Sequence, residues 1–258
     1  MTVAFMPVRV DPDTLALTLD RLERQDIGVW AYDDNTDPDS SKLLRSSGIR
    51  VLPEIDLPSG EYERGASHRW SGGAVSRVAA IKNEAIRRFL RTTDDSHLFL
   101  LDADVVLQDG TVDHLHRVDV PVVAATYWTR WEPWSLWQPN VWEADTYGFG
   151  PGWADRLRSE DHWRVAGLGA CTLIRRDVLE VASFTPIPGW PSIQGEDRWF
   201  SLRAAVHGIP LTACTCVRAQ PWHVYRPDDL DTGRTWGRDT ARRWRAENLT
   251  DDWSAASG

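Results

Sequence analysis

The sequence predicts an α/β fold, with a mostly parallel central sheet flanked by helices and a smaller region of mixed strands in the second half. Three observations carry this. Apolar runs of strand length alternate with helix-period segments through the first half of the chain. The runs are nearly continuous rather than alternating, as expected of strands buried on both faces. Two of them end in clustered aspartates, at the carboxyl ends of strands where such sheets bind ligands.

Residues 3–10 (VAFMPVRV) read as the first buried strand, and Asp13 is expected to cap a helix carrying Leu15, Leu19 and Leu22 on one face. Ile27–Tyr32 is the next strand and runs into the acidic turn Asp33-Asp34-Asn35-Thr36-Asp37. A short helix leads to a strand over 49–55, and Pro58-Ser59-Gly60 opens a polar loop to Gly73. A long helix is predicted over about 75–91. At about 100° per residue, Val75, Val78, Ala79, Ala85, Ile86, Phe89 and Leu90 form its apolar stripe. Lys82 falls inside that stripe, so its ammonium must snorkel or meet an anion. Asn83 sits at the edge, and Arg77, Arg87, Arg88 and Arg91 lie on other faces. Residues 97–107 (HLFLLDADVVL) read as one central strand.

In the second half, 120–128 reads as a strand, followed by a Trp- and Pro-rich stretch to about 163. Next come a glycine-kinked strand over RVAGLGACTLIRRDVL running into a helix, a helix over Gly195–Val206, a strand over 211–217 and a closing loop over 221–227. The domain reading is one unit over 1–227, in halves 1–110 and 111–227, with a helical extension over 228–258. Arg234, Arg238, Arg242 and Arg245 share a helical face within that extension and offer a grip for an anion.

The composition of 258 residues, 42% of them hydrophobic, excludes a disordered chain, and the net charge of −9 disfavours a generally basic nucleic-acid binder. Cys171, Cys214 and Cys216 read as reduced, buried thiols of a cytoplasmic protein. Cys-x-Cys has no third or fourth zinc partner nearby in sequence. The N-terminus lacks the features of a signal peptide, and no apolar run reaches the roughly 20 residues of a membrane span.

Three constellations bear chemistry. Asp102-Ala103-Asp104 ends a strongly apolar strand and places two carboxylates where they can share a hard divalent cation. Asp11–Asp13, Asp37–Asp39 and Asp229–Asp231 match the same pattern, so the pattern is not specific by itself, and a capped strand end is the bland reading of Asp102–Asp104. Gly195-Glu196-Asp197 opens a helix, where acidic residues also serve the macrodipole. His223, in Pro221-Trp222-His223-Val224-Tyr225, follows the last strand and is either structural or a further metal ligand.

In this order the motifs resemble the GT-A fold glycosyltransferases. The turn at 33–37, one residue shorter, resembles the nucleobase-contacting Asp-Asp-Gly-Ser-Thr-Asp turn of family 2 members. Gly189-Trp190 with Gly195-Glu196-Asp197 resembles the Gly-Trp-Gly-Gly-Glu-Asp motif of the β-1,4-galactosyltransferases, with a longer spacer. The resemblance implies Mn²⁺ or Mg²⁺ held by Asp102, Asp104 and His223, and a nucleotide-sugar donor, a UDP-sugar first. It places Asp33, Asp34, Arg77, Lys82, Asn83 and Asp102 on the donor side. Asp197 is the expected base of an inverting transfer, with Glu196 beside it, and retention stays open because a carboxylate near the anomeric face can also stabilise an oxocarbenium-like ion. Of the 15 tryptophans, Trp128, Trp131, Trp134 and Trp190 are the expected acceptor platform. The acceptor stays open between a saccharide, a lipid-linked glycan, a small molecule and a modified DNA base. The competing readings are a nucleotidyltransferase, which usually carries an N-terminal Gly-rich phosphate loop absent from VAFMPVRVDPD, and a non-catalytic glycan-binding protein.

Overall fold

The computed structural model describes residues 1–59, 72–129, 137–143, 153–188 and 195–249. The first half runs β1 (Thr2–Val8), α1 (Pro12–Glu23), β2 (Gly28–Asp33), α2 (Pro38–Ser46), β3 (Arg50–Val51), α3 (Gly72–Thr92), β4 (His97–Leu100), β5 (Val105–Val106) and α4 (Thr111–Val118). The second half runs β6 (Val122–Ala125), β7 (Trp128–Thr129), β8 (Gln138–Pro139), β9 (Val141–Trp142), α5 (Trp153–Arg158), β10 (His162–Val165), β11 (Gly167–Leu168), β12 (Thr172–Arg175) and α6 (Arg176–Leu179). It continues with α7 (Glu196–Val206), β13 (Leu211–Cys214), β14 (Trp222–His223), α8 (Asp229–Arg234) and α9 (Arg238–Asn248).

Eight strands form the main sheet in the order β10-β13-β6-β12-β4-β1-β2-β3. The β3-β2-β1-β4 half is parallel, β12 runs antiparallel to both β4 and β6, and β10 is antiparallel to β13. β1 shows why its run is continuously apolar. Val3 and Phe5 point into the layer shared with α3 and α7, and Ala4, Met6 and Val8 into the layer shared with α1 and α4. No helix among the described residues is long and apolar enough to cross a membrane.

Several boundaries differ from the sequence expectation. Asp11, not Asp13, caps α1, because Pro12 takes the first helical position and the Asp11 carboxylate accepts from the Thr14 amide at 3.0 Å. The strand expected over 49–55 is ordered as a ladder only at Arg50–Val51. The strand expected over 97–107 breaks after Leu100. The chain turns through Asp102–Asp104, and β5 leaves the main sheet to pair with β14. The strand expected over 211–217 ends at Cys214. The C-terminal segment holds two helices and packs into the core: Trp236 and Trp244 join Trp222, with Trp222–Trp236 ring centres 4.7 Å apart. Arg245 is buried there and donates to Gln220 Oε1 and the Thr215 carbonyl, each at 2.5 Å. Arg242 lies 3.5 Å from Glu160 and Arg234 2.6 Å from Asp231, so three of the four arginines expected on one anion-gripping face already serve carboxylates or carbonyls of this chain.

His97, at the start of β4, meets His116 of α4 edge-on with ring centres 4.6 Å apart. Burial and the neighbouring His116 push the His97 pKa down to about 4. The unfolded chain, with an ordinary histidine value near 6.5, therefore binds the proton more readily than the folded one. The contribution is present above about pH 6.5 and is lost as pH falls towards about 4. In His97→Gln the melting temperature is expected to fall less steeply across this window than in the parent, and equal slopes overturn the assignment.

Candidate active site

The carboxyl ends of β2 and β4 carry the first acidic groups. Leu98, Phe99, Leu100 and Leu101 are buried, and the backbone turns immediately after them. The Ala103 carbonyl accepts from Thr18 Oγ1 of α1 at 2.8 Å, and the Val105 amide donates to the Asp102 carbonyl at 3.1 Å. β5 then pairs antiparallel with β14, placing Val105 opposite His223, and the Val224 amide donates to the Asp104 carbonyl at 2.8 Å. This ladder brings His223 Nε2 to 3.4 Å from Asp104 Oδ2. The imidazole stacks on Tyr127 at 5.7 Å with planes 8° apart and faces Tyr225 at 6.1 Å, while Nδ1 lies 3.5 Å from Thr129 Oγ1. Burial opposes its charged form, but Asp104 and Asp102 outweigh that and raise the His223 pKa above the ordinary histidine value.

Lys82 occupies the place its stripe position indicates. It is 2% exposed, and its ammonium donates to Glu196 Oε1 at 2.6 Å and Asp197 Oδ1 at 3.0 Å, with Asp102 Oδ1 at 3.9 Å. Gly195, at φ +92°, turns the chain into α7 in a conformation that favours glycine, so that Glu196 and Asp197 open the helix facing α3. Burial works against the ammonium, yet Asp197, Glu196 and Asp102 together hold its pKa well above the usual lysine range. The acids respond oppositely: burial, only partly offset by Lys82, raises Asp197 to about 7 and Asp102 to about 6. Among the described residues, Asp102, Asp104, Glu196 and Asp197 thus gather around the Lys82 ammonium and the His223 imidazole, a carboxylate-rich set that suits a divalent cation.

The other expected residues distribute as follows. Asp34 is buried at the end of β2 and receives Arg77 of α3 in a two-toothed contact, with Nε at 2.8 Å from Oδ1 and NH2 on the same oxygen; Arg9 lies 3.5 Å away. Asp33 accepts from Ser41 at 2.9 Å and Asn35 at 3.0 Å, and Arg45 is 3.3 Å away. Asn83 ties α3 to the chain at 184–185, accepting from the Phe184 amide at 2.8 Å and donating to Thr185 at 3.2 Å. Trp128 does not fit a stacking platform: it is 3% exposed, with its ring 6.1 Å from Trp244, because β7 runs beneath the C-terminal helices. Trp131, Trp134 and Trp190, with the Gly189-Trp190 motif, lie outside the described residues. Sequence reasoning missed Tyr127, Thr129 and Tyr225 around His223. The only hint was the alternation Trp222-His223-Val224-Tyr225, which puts His223 and Tyr225 on one side of an extended chain.

No protein-family model and no curated protein matches this sequence. Among solved structures, the chain is similar to the mannosyltransferase PcManGT from Pyrobaculum calidifontis, solved with GDP-Man and Mn²⁺. The identity is 14% and the TM-score 0.52, covering 96% of this chain and 62% of that one. It is also similar to GalNAc-T7, solved with UDP, GalNAc and Mn²⁺, at 14% identity and TM-score 0.54, covering 88% of this chain and 43% of that one. The inositol-1-phosphate CTP transferase from T. maritima aligns at 8% identity with TM-score 0.47, covering 94% of this chain and 96% of that one, a likeness too low to argue from. The fold is that of the GT-A glycosyltransferases, and the chain spans less than two thirds of the two glycosyltransferases named.

Replacing Lys82 leaves the buried Glu196 and the half-buried Asp197 without their counter-charge. Lys82→Met is expected to lower stability by about 3–5 kcal/mol at pH 8, as for a broken buried ion pair. Without Lys82, which lowers the Asp197 pKa, that carboxyl titrates above about 7 and takes up a proton on acidification, so the loss is smaller at pH 5. Urea denaturation at both values measures this, and an equal loss at the two pH values overturns the coupling.

Proposed function

We propose that the chain is a divalent-metal-dependent glycosyltransferase that moves a sugar from a nucleoside-diphosphate sugar to an acceptor hydroxyl with inversion. The carrying observation is the convergence of two groups in one place. Asp104 and His223 lie 3.4 Å apart, and Lys82 reaches from Asp102 at 3.9 Å to Asp197 at 3.0 Å. Oxygen donors of Asp102 and Asp104 with the imidazole of His223 form a set suited to Mn²⁺ or Mg²⁺. Such a cation, when bound, neutralises charge developing on the leaving diphosphate.

The protein's own groups do the rest. Asp197 accepts the proton of the acceptor hydroxyl; a carboxyl held at about 7 is a stronger base near neutrality than an ordinary aspartate. Lys82 orients Asp197 and Glu196 and keeps both in place against their mutual repulsion. Tyr127, Tyr225 and Thr129 fix the ring of His223. Asp34, clamped by Arg77, and the adjoining Asp33 mark the edge where the nucleoside of the donor binds, with Asp102 towards the ribose. Fold likeness to structures solved with GDP-Man and with UDP supports a nucleotide-sugar donor.

A panel of nucleotide-sugars with Mn²⁺, scored for nucleoside diphosphate release, tests the reading. Release is expected with at least one donor, is abolished by excess EDTA, and collapses in Asp104→Ala. Formation of pyrophosphate from a nucleoside triphosphate and a sugar phosphate would instead make the chain a nucleotidyltransferase. Asp197→Asn is expected to bind donor normally in calorimetry and to lose transfer by about 10²–10⁴-fold. Equal losses of binding and turnover would move Asp197 from base to donor ligand.

A further inference from the structure

We propose that His114, His162, Cys214 and Cys216 form a second, structural metal site for Zn²⁺, separate from the oxygen-rich site. One ligand atom from each of the four residues lies within 4.8 Å of all the others. They come from three elements. Cys214 ends β13 and Cys216 follows two residues later; His162 opens β10 directly across the ladder from Cys214; His114 projects from α4. The two imidazoles lie nearly parallel, 6.2 Å apart with planes at 26°. His162 Nε2 is 3.8 Å from Cys216 Sγ.

The donor set selects the metal. Two thiolates and two imidazoles are the ligands of closed tetrahedral zinc sites, whereas Mn²⁺ and Mg²⁺ prefer oxygen. With Zn–S near 2.3 Å and Zn–N near 2.0–2.1 Å, tetrahedral ligand atoms stand roughly 3.3–3.8 Å apart, so closure needs a contraction of about 1 Å. Two further features point the same way. His114 Nε2 is buried with no hydrogen-bond partner among the described residues, a defect that a metal bond removes. His162 Nδ1 lies 3.8 Å from Asp161 Oδ1, too long for a hydrogen bond but within reach of the carboxylate–imidazole contact of metal-bound histidines after a small ring movement. Four protein ligands leave no open position, so the site's role is structural.

Its position gives that role content. Cys214 and Cys216 begin the segment that ends at His223. Thr215 donates its amide to the Asp161 carbonyl at 2.9 Å, and Gln108 donates to the Val217 and Gln220 carbonyls at 2.8 and 2.7 Å. A metal here joins α4, β10 and β13, segments far apart in sequence, and anchors the strand end from which the His223 segment departs.

The test is a Co²⁺ titration of the full chain, stripped with chelator and kept reduced, followed by zinc competition and elemental analysis. One equivalent of cobalt should give thiolate-to-metal charge-transfer absorption and the strong visible bands of tetrahedral coordination, both removed by zinc. The zinc-loaded protein should melt higher than the stripped one. Asp104→Ala should leave the bands unchanged. Cys216→Ser should abolish the charge transfer at this stoichiometry, and His162→Gln, at an exposed position that the fold tolerates, should weaken the site about tenfold or more. Bands that persist unchanged in His162→Gln, or that vanish in Asp104→Ala, overturn the assignment. So does stripped, reduced protein that gives no bands while its thiols titrate freely. These readouts are spectroscopic and stand whether or not the chain transfers sugar.

Discussion

The buried ammonium of Lys82 is the constraint around which the site is arranged. A lysine removed from water is costly, and only close, well-directed anions stabilise it. Here the anions come from elements far apart in sequence: Asp102 after β4, and Glu196 and Asp197 at the start of α7. The ammonium therefore fixes the distance between the end of the central sheet and the helix of the second half. Burial, only partly offset by Lys82 and reinforced by the neighbouring carboxylates, pushes Asp102 and Asp197 upwards while Lys82 stays charged. One ionic cluster thus ties the end of the central sheet to α7 and gathers carboxylates on that side.

A second tie acts on the other side of Asp102. The main sheet ends at Leu100, and β5 pairs with β14 instead of prolonging β4. That pairing carries His223 to Asp104, and β14 is held in turn by the tryptophan cluster of Trp222, Trp236 and Trp244. Trp236 Nε1 donates to the Gln220 carbonyl at 2.9 Å, and Arg245 to the Gln220 side chain. The C-terminal helices thus belong to the scaffold of His223, which explains why their tryptophans and one arginine are buried rather than turned to solvent.

The legible part of the sequence is the part governed by local pattern. β1, β2, α3 and β4 follow from continuous apolar runs and a helical stripe, and the misfit of Lys82 within that stripe identified a residue that had to meet an anion. Which anion was not legible, because Glu196 and Asp197 lie 114 and 115 residues away. The break after Leu100 was hidden for a similar reason. After His97, residues 98–107 are apolar throughout except at Asp102 and Asp104, and only a partner strand 116–118 residues downstream decides that β5 turns away. Trp128 and Arg245 were misjudged because composition describes what a side chain prefers, and tertiary neighbours decide which face it is given. The Cys/His cluster is the extreme case. Cys-x-Cys alone carried no zinc signal, and its partners enter through an antiparallel ladder and a helix on the opposite side of the sequence.

The two proposed metal sites share one piece of chain. Cys214 and Cys216 stand at one end of it and His223 at the other. Between them, Gln108 holds the Val217 and Gln220 carbonyls and Arg245 holds the Thr215 carbonyl. Ordering each backbone residue of such a segment costs about 1–2 kcal/mol. A segment fixed at both ends and pinned in its middle meets that cost during folding, before any substrate arrives. His223 is then delivered to Asp104 already oriented, and metal or donor binding need not order it. The donor chemistry keeps the two ends distinct: thiolates and imidazoles at one, carboxylates with a single imidazole at the other. A soft and a hard cation can therefore be held on the same strand-to-strand connection without exchanging places.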